Sequence, residues 1–96
     1  MQERSMPFTA TQKSQLIATL KENGWSMREG TIWSPSGGLY FNDSHFQHWG
    51  PKEMRDIFAG RANRIETSAS KNWEASTNEN RQVSAAAAKA LETTDT

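Results

Sequence analysis

Between Gly24 and Phe41 the chain reads Gly-Trp-Ser-Met-Arg-Glu-Gly-Thr-Ile-Trp-Ser-Pro-Ser-Gly-Gly-Leu-Tyr-Phe. In this one segment turn residues, alternation and large aromatics all agree. Glu29-Gly30 separates two short alternating runs and fits a two-residue hairpin turn, although Glu is a poorer first residue there than Asn or Asp. Pro35-Ser36-Gly37-Gly38 supplies a second turn. The stretch therefore predicts a meander of three short antiparallel strands, and the rest of the chain must pack around it.

Parity across the two turns divides the meander into faces. The first turn sets Arg28 opposite Thr31, Met27 opposite Ile32 and Ser26 opposite Trp33. A four-residue second loop sets Ile32 against Phe41 and Trp33 against Tyr40. Because successive side chains point to opposite sides of a strand, Trp25, Met27, Ile32, Leu39 and Phe41 share a core face. Ser26, Arg28, Thr31, Trp33 and Tyr40 share the far face.

Helical patterns flank the meander. Residues 1–7 are polar, end at Pro7 and read as a flexible lead. Thr9-Ala10-Thr11-Gln12 matches a capping box, in which the Thr9 hydroxyl accepts from the Gln12 amide and the Gln12 side chain reaches back. Leu16, Ile17 and Leu20 form the stripe of the helix that follows, and Asn23-Gly24 ends it. After the meander, Asn42-Asp43-Ser44 caps either a short helical turn or an irregular linker through Trp49. Pro51 suits the first position of the next helix. Met54, Ile57, Phe58, Ala62 and Ile65 make its stripe, which runs to about Glu66. Gly60 lies on the outer side and weakens this helix by ~1 kcal/mol unless something packs closely there.

The C-terminal third is poorer in large side chains. Residues 67–96 hold only Trp73, Val83, Leu91 and alanines as apolar groups. Residues 67–78 read as a linker. Residues 79–92 read as an amphipathic helix with a thin stripe of Val83, Ala86, Ala87, Ala90 and Leu91, marginal by itself in water, and residues 93–96 as a disordered tail. The predicted architecture is α+β: an α-β-β-β-α domain over residues 1–66 with two helices on one face of the sheet. The marginal C-terminal helix either docks on that body or frays.

Charge and cysteine usage narrow the function classes. Eleven Lys and Arg balance eleven Asp and Glu, so the chain lacks the overall positive field that drives non-specific binding to nucleic acid or acidic membranes. Any such binding needs a local patch. The absence of cysteine excludes disulfides, thiol catalysis and thiolate metal sites. No stretch approaches ~18 consecutive apolar residues and no apolar run resembles a signal peptide, so we expect a cytoplasmic protein without a membrane partner.

Few residues suggest chemistry. Asp43, His45 and His48 are metal-ligand types at close spacing, but Phe46 and Trp49 lie among them and favour a packed corner. The same histidines with Ser44 or Ser36 supply the residue types of a nucleophilic triad without a nucleophile elbow. Gly37-Gly38 has no following helix to receive a phosphate. The sequence therefore predicts no enzyme, catalytic residue, metal or cofactor. Lys52, Arg55, Arg61 and Arg64 make the second main helix locally basic, which a solvated helix face with acidic neighbours also explains.

The far face is the strongest functional feature. Trp33 and Tyr40, flanked by Arg28 and Thr31, make a docking or stacking platform if helices cover only the other face; the competing expectation is that Trp73 or the C-terminal helix folds over them. The leading expectation is a protein–protein interaction module, as a monomer or homodimer. The alternative is nucleic-acid binding, with Arg28, Trp33 and Tyr40 stacking on bases and Lys52 and Arg55 holding phosphates.

The α-β-β-β-α order and the run Arg81-Gln82-Val83-Ser84-Ala85-Ala86-Ala87-Ala88-Lys89-Ala90-Leu91 superficially resemble double-stranded-RNA-binding domains, whose alanine-rich last helix follows the third strand and begins with a lysine cluster. Here a whole helix and a linker intervene, and Glu79 and Arg81 stand where the lysines would be. No functional residue is carried over from that likeness.

Overall fold

The computed structural model describes residues 7–67 and 74–92. In chain order the elements are α1 (Ala10–Glu22), β1 (Ser26–Arg28), β2 (Thr31–Trp33), β3 (Tyr40–Phe41), α2 (Asp43–His48), α3 (Pro51–Thr67) and α4 (Glu74–Leu91). The flexible lead expected over 1–7 and the disordered tail expected over 93–96 fall almost wholly outside the described residues.

α1 starts on the expected capping box. The Thr9 hydroxyl accepts from Gln12 N–H at 3.0 Å, and Gln12 Oε1 accepts from Thr9 N–H at 3.1 Å. The helix ends in a Schellman arrangement: Gly24, at φ +95°, donates to Lys21 O, and Trp25 N–H donates to Leu20 O at 3.1 Å. This closure satisfies the last carbonyls of α1 and swings Trp25 back over Leu20, so that both are buried.

The sheet is an antiparallel meander in the order β1-β2-β3. Its register pairs Ser26 with Trp33, Met27 with Ile32, Arg28 with Thr31, Ile32 with Phe41 and Trp33 with Tyr40. Glu29 and Gly30 both have positive φ, +52° and +79°, as a type I′ hairpin requires. In the second turn, Ser34 N–H donates to Leu39 O at 2.9 Å, Gly37 N–H to Ser34 O at 2.9 Å, and Leu39 N–H to the buried Ser34 hydroxyl at 3.1 Å.

Phe41 is the hub of the core. Its ring stacks on Trp25 at 6.2 Å and meets Phe58, His45, Phe46 and Trp49 at 5.4 to 6.4 Å. Leu16, Leu20, Ile32 and Met54 complete the layer from α1, the sheet and α3. Two residues expected in the core are outside it: Met27 is 38% exposed and Ile57 39%. Met27 belongs to an edge strand and lines a surface concavity with Lys13 and Ile17 of α1 and Asp43 and Phe46 of α2. On α3 the buried line is Met54, Phe58 and Ala62; Ile57 lies off that line.

The core continues into α4. Val83, Ala86, Ala87 and Ala90 are fully buried, and alanine is what permits the close α3–α4 approach that large side chains would prevent. Polar contacts fix the seating. The Trp25 indole N–H donates to Gln82 Oε1 at 2.8 Å, the Ser84 hydroxyl to Arg55 O at 2.8 Å, and Arg81 pairs with Glu66. α4 begins at Glu74, five residues ahead of the expected start at Glu79, so of the linker expected over 67–78, Thr67 is helical in α3 and residues 74–78 are helical in α4, while residues 68–73 lie outside the described ones.

Candidate binding face

The helices gather on the core face and leave the opposite side of the meander open. There Trp33 and Tyr40, opposite each other on β2 and β3, stack with centroids 4.9 Å apart and rings inclined by 30°. The Arg28 guanidinium lies 5.8 Å from the Trp33 ring centroid, within cation–π range. Trp33 and Thr31 are half-buried, whereas Tyr40 is 48% exposed. Arg28, Glu29, Thr31 and Trp33 line a shallow concavity of about 540 Å³ beside the stack. Docked as it is through core-face residues, α4 does not lie across this surface; Trp73, the other expected cover, is outside the described residues.

Support for the platform comes from α2. The Asn42 side chain caps this helix by accepting from Ser44 N–H at 3.0 Å, and His45 Nδ1 accepts from Asn42 N–H at 3.0 Å. Accepting at Nδ1 places the proton of a neutral imidazole on Nε2. The ring so held meets Tyr40 edge-on at 5.7 Å and Trp49 at 5.8 Å. His45 therefore braces the Tyr40 ring from behind. Its role as the third-position partner of a capping box escaped the sequence reading because that position is ordinarily Glu or Gln.

The remaining candidates are dispersed. Asp43 pairs with Lys13 at 2.5 Å, and among the described residues no group of three or more His, Cys, Asp or Glu is placed to hold a metal. Lys52 is exposed on α3. Arg55 lies on the same helix, where it lines a different concavity, between α3 and α4, together with Asp56, Arg81 and Ala88. Arg55 Nε donates to Asp56 at 2.9 Å. That hydrogen bond first, then the charges of Arg55 and Lys52, holds the Asp56 carboxyl below its ordinary value. The structure thus brings Arg28, Trp33 and Tyr40 together and sets Arg55 in another hollow beside an acidic neighbour.

Glu79 is a second feature that the sequence reading missed. The sequence marks it only as the first residue of the last helix, with no role assigned, and it is 5% exposed. Its two carboxylate oxygens accept from Ser36 N–H at 2.9 Å and from the Ser36 hydroxyl at 2.8 Å. The turn joining the two aromatic-bearing strands is thereby tied to α4.

Compared with protein-family models, with curated proteins and with solved structures, the chain matches none. Among the described residues no helix is long and apolar enough to cross a membrane.

Proposed function

We propose that this chain is a small non-enzymatic interaction module that contacts a partner protein through the far face of its meander, with Arg28, Trp33 and Tyr40 as the contact residues. The observation that carries this reading is the Trp33–Tyr40 stack, left open while the helices collect on the other side. Rigid aromatic area beside an arginine is the composition that dominates interface hot spots. His45 and the Glu79–Ser36 tie hold the rings in place before any partner arrives, which lowers the ordering cost of binding. A cysteine-free chain of balanced charge suits the cytoplasm, which we propose as its location.

The test is the double variant Trp33→Ser/Tyr40→Ser. It is expected to keep the circular dichroism spectrum and cooperative thermal unfolding of the parent. Loss of the fold would show that these rings are core and would sink the reading. Homodimerisation through the same face is checked by sedimentation of parent and double variant together. The nucleic-acid alternative draws on the same stack and on Arg28, but Glu29 lines the same hollow and Arg55 is paired elsewhere. That alternative requires steeply salt-dependent binding of mixed oligonucleotides.

A further inference from the structure

We infer that the occupant of the far face is a proline-rich segment of the partner, bound as a polyproline II helix; this deepens the interaction reading above and rests on it. The argument is one of donors and acceptors. The face presents the Arg28 guanidinium, the Thr31 hydroxyl, the Trp33 indole N–H and the Tyr40 hydroxyl, and among the described residues none of these donors meets a protein acceptor. Glu29 is the acidic side chain in the same hollow. The Arg28 guanidinium and the Trp33 indole can only donate and the two hydroxyls can donate as well as accept, so a ligand rich in bare carbonyl oxygens and flat apolar surface can engage all four.

Other ligand conformations fit this demand less well. An α-helix spends its carbonyls internally. A β-strand brings as many N–H donors as acceptors and pairs with sheet edges rather than with a ring-bearing face. Polyproline II has no internal hydrogen bonds, so its carbonyls are free, and each proline lacks an N–H. Its pyrrolidine rings lie on aromatic surfaces, and the preformed helix loses little entropy on docking. Glu29 at the margin suits a basic residue flanking the prolines. A phosphate backbone would meet Arg28 favourably but would face Glu29 across a hollow of about 540 Å³.

The experiment titrates the full chain, 15N-labelled, with a ten-proline peptide carrying one arginine at each end. A Gly-Ser peptide of the same length with the same arginines and a thymidine oligonucleotide are the comparison probes. The Trp33 indole cross-peak, assigned by its absence in Trp33→Phe, is expected to shift saturably with the proline peptide and not with the Gly-Ser peptide. Tyr40→Phe, which removes the hydroxyl and keeps the ring, is expected to weaken that binding several-fold. No shift with the proline peptide at millimolar concentration, equal shifts with both peptides, or a saturable shift with the oligonucleotide alone would each overturn the inference. If Trp33→Ser/Tyr40→Ser folds while the proline peptide leaves the parent unmoved, only the polyproline inference falls. If that double variant unfolds, the interaction reading falls with it.

Discussion

Glu79 on α4 grips Ser36 in the β2–β3 turn with both carboxylate oxygens, taking the backbone N–H at 2.9 Å and the hydroxyl at 2.8 Å across 43 residues of sequence. The two Ser36 donors replace part of the hydration that the buried carboxylate gives up, and hydrogen bonds to a charged group are stronger than neutral ones. The tie also fixes the strand carrying Tyr40 relative to the helix that caps the core.

Truncating Glu79 removes both acceptors and leaves the donors of the exposed Ser36 to water. Glu79→Ala is expected to destabilise by about 1.5–3 kcal/mol, the range for hydrogen bonds to charged groups. Glu79→Gln retains one oxygen acceptor and should recover part of that loss. Urea unfolding of the three proteins checks the order, and an alanine variant as stable as the parent would show that the grip contributes nothing.

The Glu29 backbone, at φ +52°, lies in a region that costs an L residue with a Cβ roughly 1–2 kcal/mol. Asn tolerates that conformation and precedes Gly in the favoured type I′ pair. Glu29→Asn is expected to stabilise by about 0.5–1 kcal/mol, raising Tm by roughly 2–8 °C for a domain of this size. Thermal unfolding by circular dichroism reads it. The converse variant Gly30→Ala, at φ +79° with open space around an added Cβ, should lower Tm through backbone strain alone.

Gly60 is a simpler case. It lies within α3, it is exposed, and an added Cβ would meet nothing within 4 Å. No packing reason for glycine exists at this position among the described residues. Gly60→Ala should therefore gain about 0.5–1 kcal/mol from helix propensity, seen as a higher denaturation midpoint at unchanged slope.

What could be read in advance follows from how locally each feature is encoded. The meander and its register were legible because a Glu-Gly pair, a Pro-Ser-Gly-Gly turn and a period of two leave one pairing that puts Ile32 and Phe41 together. The α1 capping box was equally local. From that parity came the neighbourhood of Arg28, Trp33 and Tyr40. Met27 and Ile57 went astray because periodicity assigns a face and not the extent of its cover: Met27 is on the edge strand β1 beside a surface concavity, and Ile57 lies beside the buried line of α3. Ala86, Ala87 and Ala90 carry little hydrophobic signal, yet their smallness is what lets α4 close against α3. Glu79 and Arg55 depend on partners far along the chain, and no spacing rule announces them.

His45 joins the two parts of the candidate site, since one nitrogen caps α2 and the ring supports Tyr40. These roles are separable. His45→Ala loses the capping acceptor and the ring contacts with Tyr40, Phe41 and Trp49, and is expected to cost about 1–3 kcal/mol, combining the loss of a hydrogen bond with that of aromatic contacts. His45→Gln places an ordinary capping-box side chain at the same position and should restore the helix-end share, about 0.5–1 kcal/mol, without restoring the ring support. The distinguishing measurement is the Tyr40 ring: its proton shifts, dominated by the stacked Trp33 ring current, should move toward free-tyrosine values in both variants if His45 braces the platform. Parent-like Tyr40 shifts in His45→Gln would assign His45 to the helix cap alone, with Trp33 sufficient to hold Tyr40.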